Sequence, residues 1–410
     1  MRKSYFFVVA VFLFVSIAML SSCCPNRSPE SPTNPMPNDG ETGVSLTPTL
    51  SWTAFDPDGD PLLFDVYFGT NSNPPLIESD LTTNVYIPDT LEASTTYYWK
   101  VVARDGKGGV TEGPVWSFTT KSHTYAYIAN SSSGLVILDV LNPTTPIWIG
   151  HVDTYKALGA YASGDYAYVA DDVYGLVIVD VTDPKHPKRV GSFDTTRALR
   201  VHISGNYAYV IDYDRYLYVV DITDPKNPKG VGRLYVHAVP KGLDVPGDYA
   251  YIASGDLVIV NIANPLHPVI AARVDTTGGA EGVHVSGDYA YVADGSYGLV
   301  IIDISIPSDP KIIGNLKTEG IAYDVHVSGS YAYVAVGKEG LAIVDITDPA
   351  SPVQIGHLST GGEVKRVHAS GNYAYITTPS LVIVDVTDPA TPVLVGRLEM
   401  SAEDVYVPGD

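Results

Sequence analysis

Cysteine is almost absent from this chain. Its two cysteines, Cys23 and Cys24, are neighbours, so no pair joins distant segments and no thiolate cage can hold a metal. Stability must come from burial and strand pairing, which large β domains can supply. Basic residues are scarce as well: 25 Lys and Arg stand against 46 Asp and Glu, and 23 against 46 once Arg2 and Lys3 are set aside. That field repels phosphate backbones and anionic lipid, which argues against nucleic-acid binding and polybasic membrane docking. The 16-residue uncharged run from Tyr5 to Leu20 falls short of the roughly 20 apolar residues of a membrane span. Beyond it no stretch carries the 3.6-residue period of a helix. There is no Gly-x-Ser-x-Gly elbow, no His-Glu-x-x-His and no phosphate loop. A non-catalytic chain without metal or cofactor is the expectation.

What is present begins with a leader. A basic start followed by the uncharged run fits a secretory signal peptide over residues 1–22. Leu20-Ser21-Ser22-Cys23 resembles the bacterial lipobox. The resemblance implies cleavage before Cys23, lipidation of its sulfur, and a chain held to the cell envelope by that lipid anchor only, facing the periplasm or the exterior. Several acyl chains anchor stably where one is marginal. Residues 23–40 then hold prolines at 25, 29, 32, 35 and 37. This segment reads as an extended tether reaching on the order of 50 Å.

From 41 to 121 the pattern is one of short, aromatic and β-branched runs, such as Leu63 to Phe68 and Tyr97 to Val102, with Asp-Gly and Pro-Pro turns between them. Such spacing predicts an antiparallel β-sandwich. Trp52, the Leu91/Tyr97 spacing and the closing Trp116-Ser-Phe118 resemble a fibronectin type III domain. The resemblance implies that these residues are core and that the domain is a spacer or binding module. Asp56-Pro-Asp58-Gly59-Asp60 offers alternate carboxylates, as calcium loops do. Its glycine falls at the fourth position rather than the sixth, and Tyr67 stands where a bidentate Glu belongs. The loop therefore reads as a strand-connecting turn.

Internal repetition dominates the remainder. Tyr-Ala-Tyr recurs from Tyr125, Tyr166, Tyr207, Tyr249, Tyr289, Tyr331 and Tyr373, at intervals of 40 to 42 residues. A Leu-Val-Ile-Val-Asp type run and a Pro-x-x-Pro turn follow each in register, and a Val-His-Val-Ser-Gly-Asp type run precedes every one but the first. One period thus reads as four strands, for example Gly282 to Ser286, Tyr289 to Ala293, Leu299 to Ile304 and Lys311 to Leu316. The middle two are apolar or aromatic on both faces, as a propeller blade between two neighbours requires. The first period lacks its leading strand, and Glu403 to Asp410 reads as that strand. Residues 122–410 are therefore expected to close as seven blades. Leu176-Val-Ile-Val-Asp180 and Leu381-Val-Ile-Val-Asp385 resemble the LVIVD repeat of bacterial and archaeal surface propellers, which implies fold and surface location but no defined activity. The Gly-His and Trp-Asp marks of WD repeats are absent. The predicted fold is all-β: a seven-bladed β-propeller preceded by a fibronectin type III-like β-sandwich.

Residues that repeat are read as structural. Asp183-Pro184 and its kin look like capped turns. His202, His284, His326 and His368 occupy equivalent strand positions, with Tyr161, Asp244 and Tyr406 in the other blades, and are expected to make interblade hydrogen bonds rather than a metal ring. Residues that break the repeat are the candidate ligand-binding set. They are Asp171, Tyr174, Asp212, Tyr216, Asp294 and Tyr297 in the loops between second and third strands, and Arg200 and Arg366 where the first strands begin. A tyrosine and carboxylate rim suits an extracellular glycan, peptide or protein ligand. The expected protein is a monomeric, lipid-anchored surface binder. The alternative is a propeller hydrolase acting on envelope glycans, lactones or esters.

Overall fold

The computed structural model describes residues 25–409, which divide into two compact units between Ser122 and His123. The signal peptide and Cys23 lie outside the described residues. Among those described there is no helix, and none long and apolar enough to cross a membrane.

The first unit has nine strands: β1 (Thr33–Met36), β2 (Glu41–Val44), β3 (Leu50–Thr53), β4 (Leu63–Gly69), β5 (Leu76–Leu81), β6 (Val85–Tyr86), β7 (Thr96–Arg104), β8 (Val110–Glu112) and β9 (Trp116–Thr120). One sheet runs β1-β3-β6 and the other β2-β9-β7-β4-β5, with β8 added to β7. Strict alternation sends one face of β4, β7 and β9 inward. In β7, Tyr97, Trp99, Val101 and Ala103 are buried while their neighbours are half-exposed. Trp52, Trp99 and Trp116 meet in this core, with Trp99 and Trp116 ring centroids 4.7 Å apart.

The tether expected over residues 25–40 is instead folded into this unit. β1 pairs with β3, the Glu30 N–H donates to the Phe55 carbonyl at 3.0 Å, and Pro29, Pro32 and Pro37 are buried. Proline has no N–H for a second neighbour, but its fixed φ suits an edge strand that needs only one. A proline-rich composition therefore did not exclude pairing here.

The second unit is a ring of seven four-stranded antiparallel sheets. The blade beginning at Asp324 shows the plan: Asp324–Ser328 innermost, then Tyr331–Ala335, Leu341–Asp345 and, outermost, Val353–Leu358. Blade 1 is assembled from both ends of the unit. Its inner strand, Ala402–Tyr406, pairs antiparallel with Tyr125–Asn130, Tyr406 opposite Tyr127. The expected closure is what the structure has.

Seven apolar clusters fill the seven gaps between blades. Within Leu176-Val-Ile-Val179, Leu176 and Ile178 enter the gap toward blade 3, while Val177 and Val179 enter the gap toward blade 2's other neighbour. That is why the run is apolar without alternation. The repeated aspartates are turn residues, as expected. Asp180 Oδ1 accepts from the Thr182 N–H, and Asp183 Oδ1 from the Lys185 N–H.

A repeated glycine in the outermost strand of six blades brings the strand against the next blade's proline turn. A Cβ on Gly191 would lie 2.1 Å from the Pro225 carbonyl oxygen, and one on Gly396 2.2 Å from that of Pro143, across the closure. At those glycines a Cβ cannot fit without moving the carbonyl. Ala272 holds this position in blade 4.

Candidate binding site in the propeller channel

Each innermost strand has a hydrogen-bonded neighbour on one side only and alternates between wall and channel. In Asp324–Ser328 the side chains of Val325 and Val327 enter the apolar gap, while Asp324, His326 and Ser328 line the channel. Repeated sevenfold, this stacks two layers of side chains around a cavity of about 600 Å³.

The layer nearer the mouth consists of Asp404, Gly159, Arg200, Gly242, Gly282, Asp324 and Arg366, blades 1 to 7 in order. The glycines are enforced by crowding. A Cβ on Gly282 would approach Asp324 Oδ1 to 2.6 Å, and one on Gly242 would meet the Gly282 Cα at 2.8 Å. Two guanidiniums and two carboxylates remain. Arg200 donates to the Leu199 carbonyl at 2.6 Å and to that of Leu158. Arg366 is held more loosely. Its contacts to the Tyr323 carbonyl (3.5 Å), to the Lys241 carbonyl across the channel (3.4 Å) and to Asp324 (3.9 Å) are all long. Burial pushes the Asp324 carboxyl up to about 7, with the Asp404 charge acting in the same direction, and burial raises Asp404 too. Near neutral pH Asp324 can thus donate or accept a hydrogen bond.

The deeper layer is a continuous belt of Tyr406, Tyr161, His202, Asp244, His284, His326 and His368. Tyr161 and Tyr406 ring centroids lie 4.3 Å apart, as do those of His284 and His326, and of His326 and His368. His202 Nδ1 sits 3.3 Å from Asp244. The inner strands' unpaired N–H groups explain the chemistry, because each needs an acceptor. His284 Nδ1 accepts from the Val327 N–H and His326 Nδ1 from the Ala369 N–H, both at 3.3 Å; Asp244 accepts from Val285 at 2.7 Å. The same device recurs in the mouth layer, where Asp324 accepts from Val367 and Asp404 from Ala160. A ring accepting at Nδ1 is neutral, with its proton on Nε2. Burial, reinforced in His202, His326 and His368 by other imidazoles of the belt, keeps all four histidines below their usual value, His368 at about 4. The interblade bonds expected of the histidines are present at His284, His326 and His368, whose Nε2 meets the Val407 carbonyl at 2.8 Å.

Of the eight predicted ligand residues, only Arg200 and Arg366 line this cavity. The pairing of Ala157 with Asp171, and of Ala198 with Asp212, puts the variable loops on the mouth face, as expected. Their aspartates are not displayed there. Asp171, Asp212 and Asp294 are fully buried and shape their own loops. Asp171 accepts from the N–H groups of Lys156, Val173 and Tyr174, Asp212 from Tyr216, and Asp294 from Gly278 and the Thr276 hydroxyl. The tyrosines stay within their own blades. Tyr174 lies under Arg189 at 4.7 Å, Tyr216 packs on Tyr235 at 5.3 Å, and Tyr297 is exposed. The structure does not bring these six together. Sequence reasoning left Asp404 and Asp324 out of the ligand set. Their signal was charge at channel-facing positions of the innermost strand, where most periods differ. Lys241 and Glu281 instead precede the equivalent glycines by one residue and pair with each other.

Seven four-stranded sheets around one channel define a seven-bladed β-propeller. The LVIVD repeat family matches residues 122–154, 156–195, 197–235, 241–276, 277–318, 319–360 and 361–399, and the chain belongs to that family. Among solved structures, it is similar to the Cps50 (Swd1) β-propeller domain of Myceliophteria thermophila: 16% identity, 60% of this chain and 87% of that one covered, TM-score 0.51. It is also similar to BamB from Moraxella catarrhalis: 16% identity, 68% and 85% covered, TM-score 0.45. At these identities the first likeness speaks to fold alone. No curated protein matches the chain.

Proposed function

We propose that this protein is a lipid-anchored binding protein of the bacterial cell envelope, in which a fibronectin type III-like sandwich spaces a binding propeller from the membrane. The observation that carries the binding reading is the mouth layer of the channel: Arg366, with only long contacts, beside Asp324, a carboxyl poised between its two protonation states. A guanidinium with donors to spare favours a carboxylate, and the neighbouring acids favour hydroxyls. A surface glycan or peptide bearing a carboxylate matches both. The spacer reading is supported by Trp52, Trp99 and Trp116 in one core and by the Glu92 N–H donating to the Tyr97 hydroxyl at 3.0 Å, a bond of the tyrosine-corner kind. The anchor reading rests on Leu20 to Cys23, and C23A is expected to leave the detergent phase when the wild type enters it.

The binding reading is tested on an array of acidic and neutral glycans and peptides probed with the wild type, R366M and D324N. Carboxylate-bearing ligands should bind the wild type and lose at least roughly tenfold in R366M, the cost of about one charge-assisted bond. Equal binding by a folded R366M would remove the channel from the reading. Convergence of Asp324 and Asp404 also supports hydrolysis of envelope glycans as a second reading. Product release from those same glycans, lost in D404N, would favour it over binding alone.

A further inference from the structure

The loop between β3 and β4 holds three carboxylates that the propeller's function does not involve. One oxygen from each of Asp56, Asp58 and Asp60 lies within 4.8 Å of the other two. The turn itself is satisfied: Asp56 Oδ1 accepts from the Asp58 N–H at 2.8 Å and the Asp60 N–H at 3.3 Å. Arg27 takes both oxygens of Asp58, Oδ2 through its backbone N–H at 2.8 Å and Oδ1 through its side chain at 2.9 Å, and Lys107 meets Asp60 Oδ1 at 2.6 Å. Two oxygens remain unaccounted for. Asp56, only 8% exposed, has a buried Oδ2 with no hydrogen-bond partner, and so does Asp60.

A buried carboxylate oxygen without a donor is costly, and two of them in one loop leave room for a donor or a cation beside them. Beside them opens a cavity of about 540 Å³ lined by Asp56, Asp60, Thr82, Thr83 and Asn84. The sequence offers no Glu at the end of the loop, but the cavity brings hydroxyl and amide oxygens from the β5–β6 connection instead.

We infer that Asp56, Asp58 and Asp60, completed by oxygens of Thr82 to Asn84, bind a hard divalent cation of the calcium type. Oxygen-only, irregular and partly side-chain coordination suits Ca²⁺, whereas Mg²⁺ needs a near-ideal octahedron. Lys107 holds Asp60 Oδ1 and leaves Oδ2 for the ion, whereas Asp58, both oxygens of which meet Arg27, would offer the ion only a second lone pair. The site stands independently of what the channel binds.

The test titrates CaCl₂ into the full chain by calorimetry, with Tb³⁺ luminescence as a second readout. Binding is expected with Kd on the order of 0.1–1 mM, the range of extracellular modules, and with a higher melting temperature for the sandwich transition. D56N keeps the Oδ1 acceptor of the turn and loses the charge, so it should fold and bind at least about tenfold more weakly. K107M removes a competing cation and should bind more tightly. No heat and no luminescence at millimolar ion, or equal affinity in folded D56N, would overturn the site. Weaker binding in K107M would also count against it, since an ammonium that merely shapes the loop predicts that result.

Discussion

Between blades the propeller repeats itself; inside its channel it does not. The seven gaps are filled by near copies of the same set, a tyrosine, an alanine and alternating leucine, isoleucine and valine. The channel-facing pairs change at every step: Asp404 with Tyr406, Gly159 with Tyr161, Arg200 with His202, Gly242 with Asp244, Gly282 with His284, Asp324 with His326, Arg366 with His368. Wall and channel alternate residue by residue along one strand, so the difference cannot come from backbone geometry. The wall must fit the next blade and is held to one solution. The channel side is constrained by the N–H groups that need acceptors and, at Gly242 and Gly282, by crowding. Divergence there is where chemistry has room to be built.

The comparison breaks most completely at the closure. Removing residues 401–410 takes away the strand paired with Tyr125–Asn130 and opens the apolar gap between blades 7 and 1. Loss of monodispersity and of cooperative melting is expected. Equal melting and monomer content of the two chains would show that the ring holds without its seventh inner strand.

One wall residue should cost more than any channel residue. Ile178, fully buried between blades 2 and 3, should lose about 2–5 kcal/mol on truncation to Ala, measured by denaturant unfolding. D324N, which exchanges a half-protonated acid for an amide, should lose much less. If both lose the same, wall and channel are not distinct in energy.

A pH series sharpens the contrast from the channel side. Unfolded imidazoles titrate near 6.5, whereas burial holds His202, His284, His326 and His368 below that. As pH falls from about 6.5 toward 4, the unfolded chain binds protons that the folded one refuses, so the belt loses stability. Asp324 and Asp404 act in reverse. Their raised values give stability that is full at low pH and lost, for Asp324, as pH rises through about 7. Four imidazoles outweigh two carboxyls, so the propeller's melting temperature should fall between pH 7 and pH 4.5. H326Q should flatten that slope and D324N should steepen it; the opposite pair of changes would reverse the assignment.

The smallest effect is expected on the rim. Y174A, Y216A and Y297A together should leave ligand affinity unchanged, because these rings lie in three separate blades away from the cavity. A drop of about a hundredfold would return the site to the loops.

Blade strands were legible in the sequence nearly to the residue, because two-sided burial writes itself as an uninterrupted apolar run. In the blade read from Gly282, the third strand ends at Asp303 rather than Ile304. The loop aspartates misled for a physical reason: a carboxylate that accepts its own loop's N–H groups and one that awaits a ligand are the same letter. Arg200 and Arg366 were found because they break the repeat. Asp404 was passed over although its strand was assigned to blade 1, because the entry positions were compared only among the blades whose first strand precedes them in the chain. The proline-rich segment before Gly40 failed for a different reason, since edge pairing needs only half of the hydrogen bonds that proline removes.

Blade 1 is the first blade to leave the ribosome and the last to be finished. Its three outer strands, through Val152, emerge while the other six blades are still unmade, and they wait for Ala402–Tyr406. Throughout that interval the free edge of Tyr125–Asn130 would accept the same segment from a neighbouring chain as readily as from its own. Exchange of final strands between two unfinished copies would interlock them into a pair.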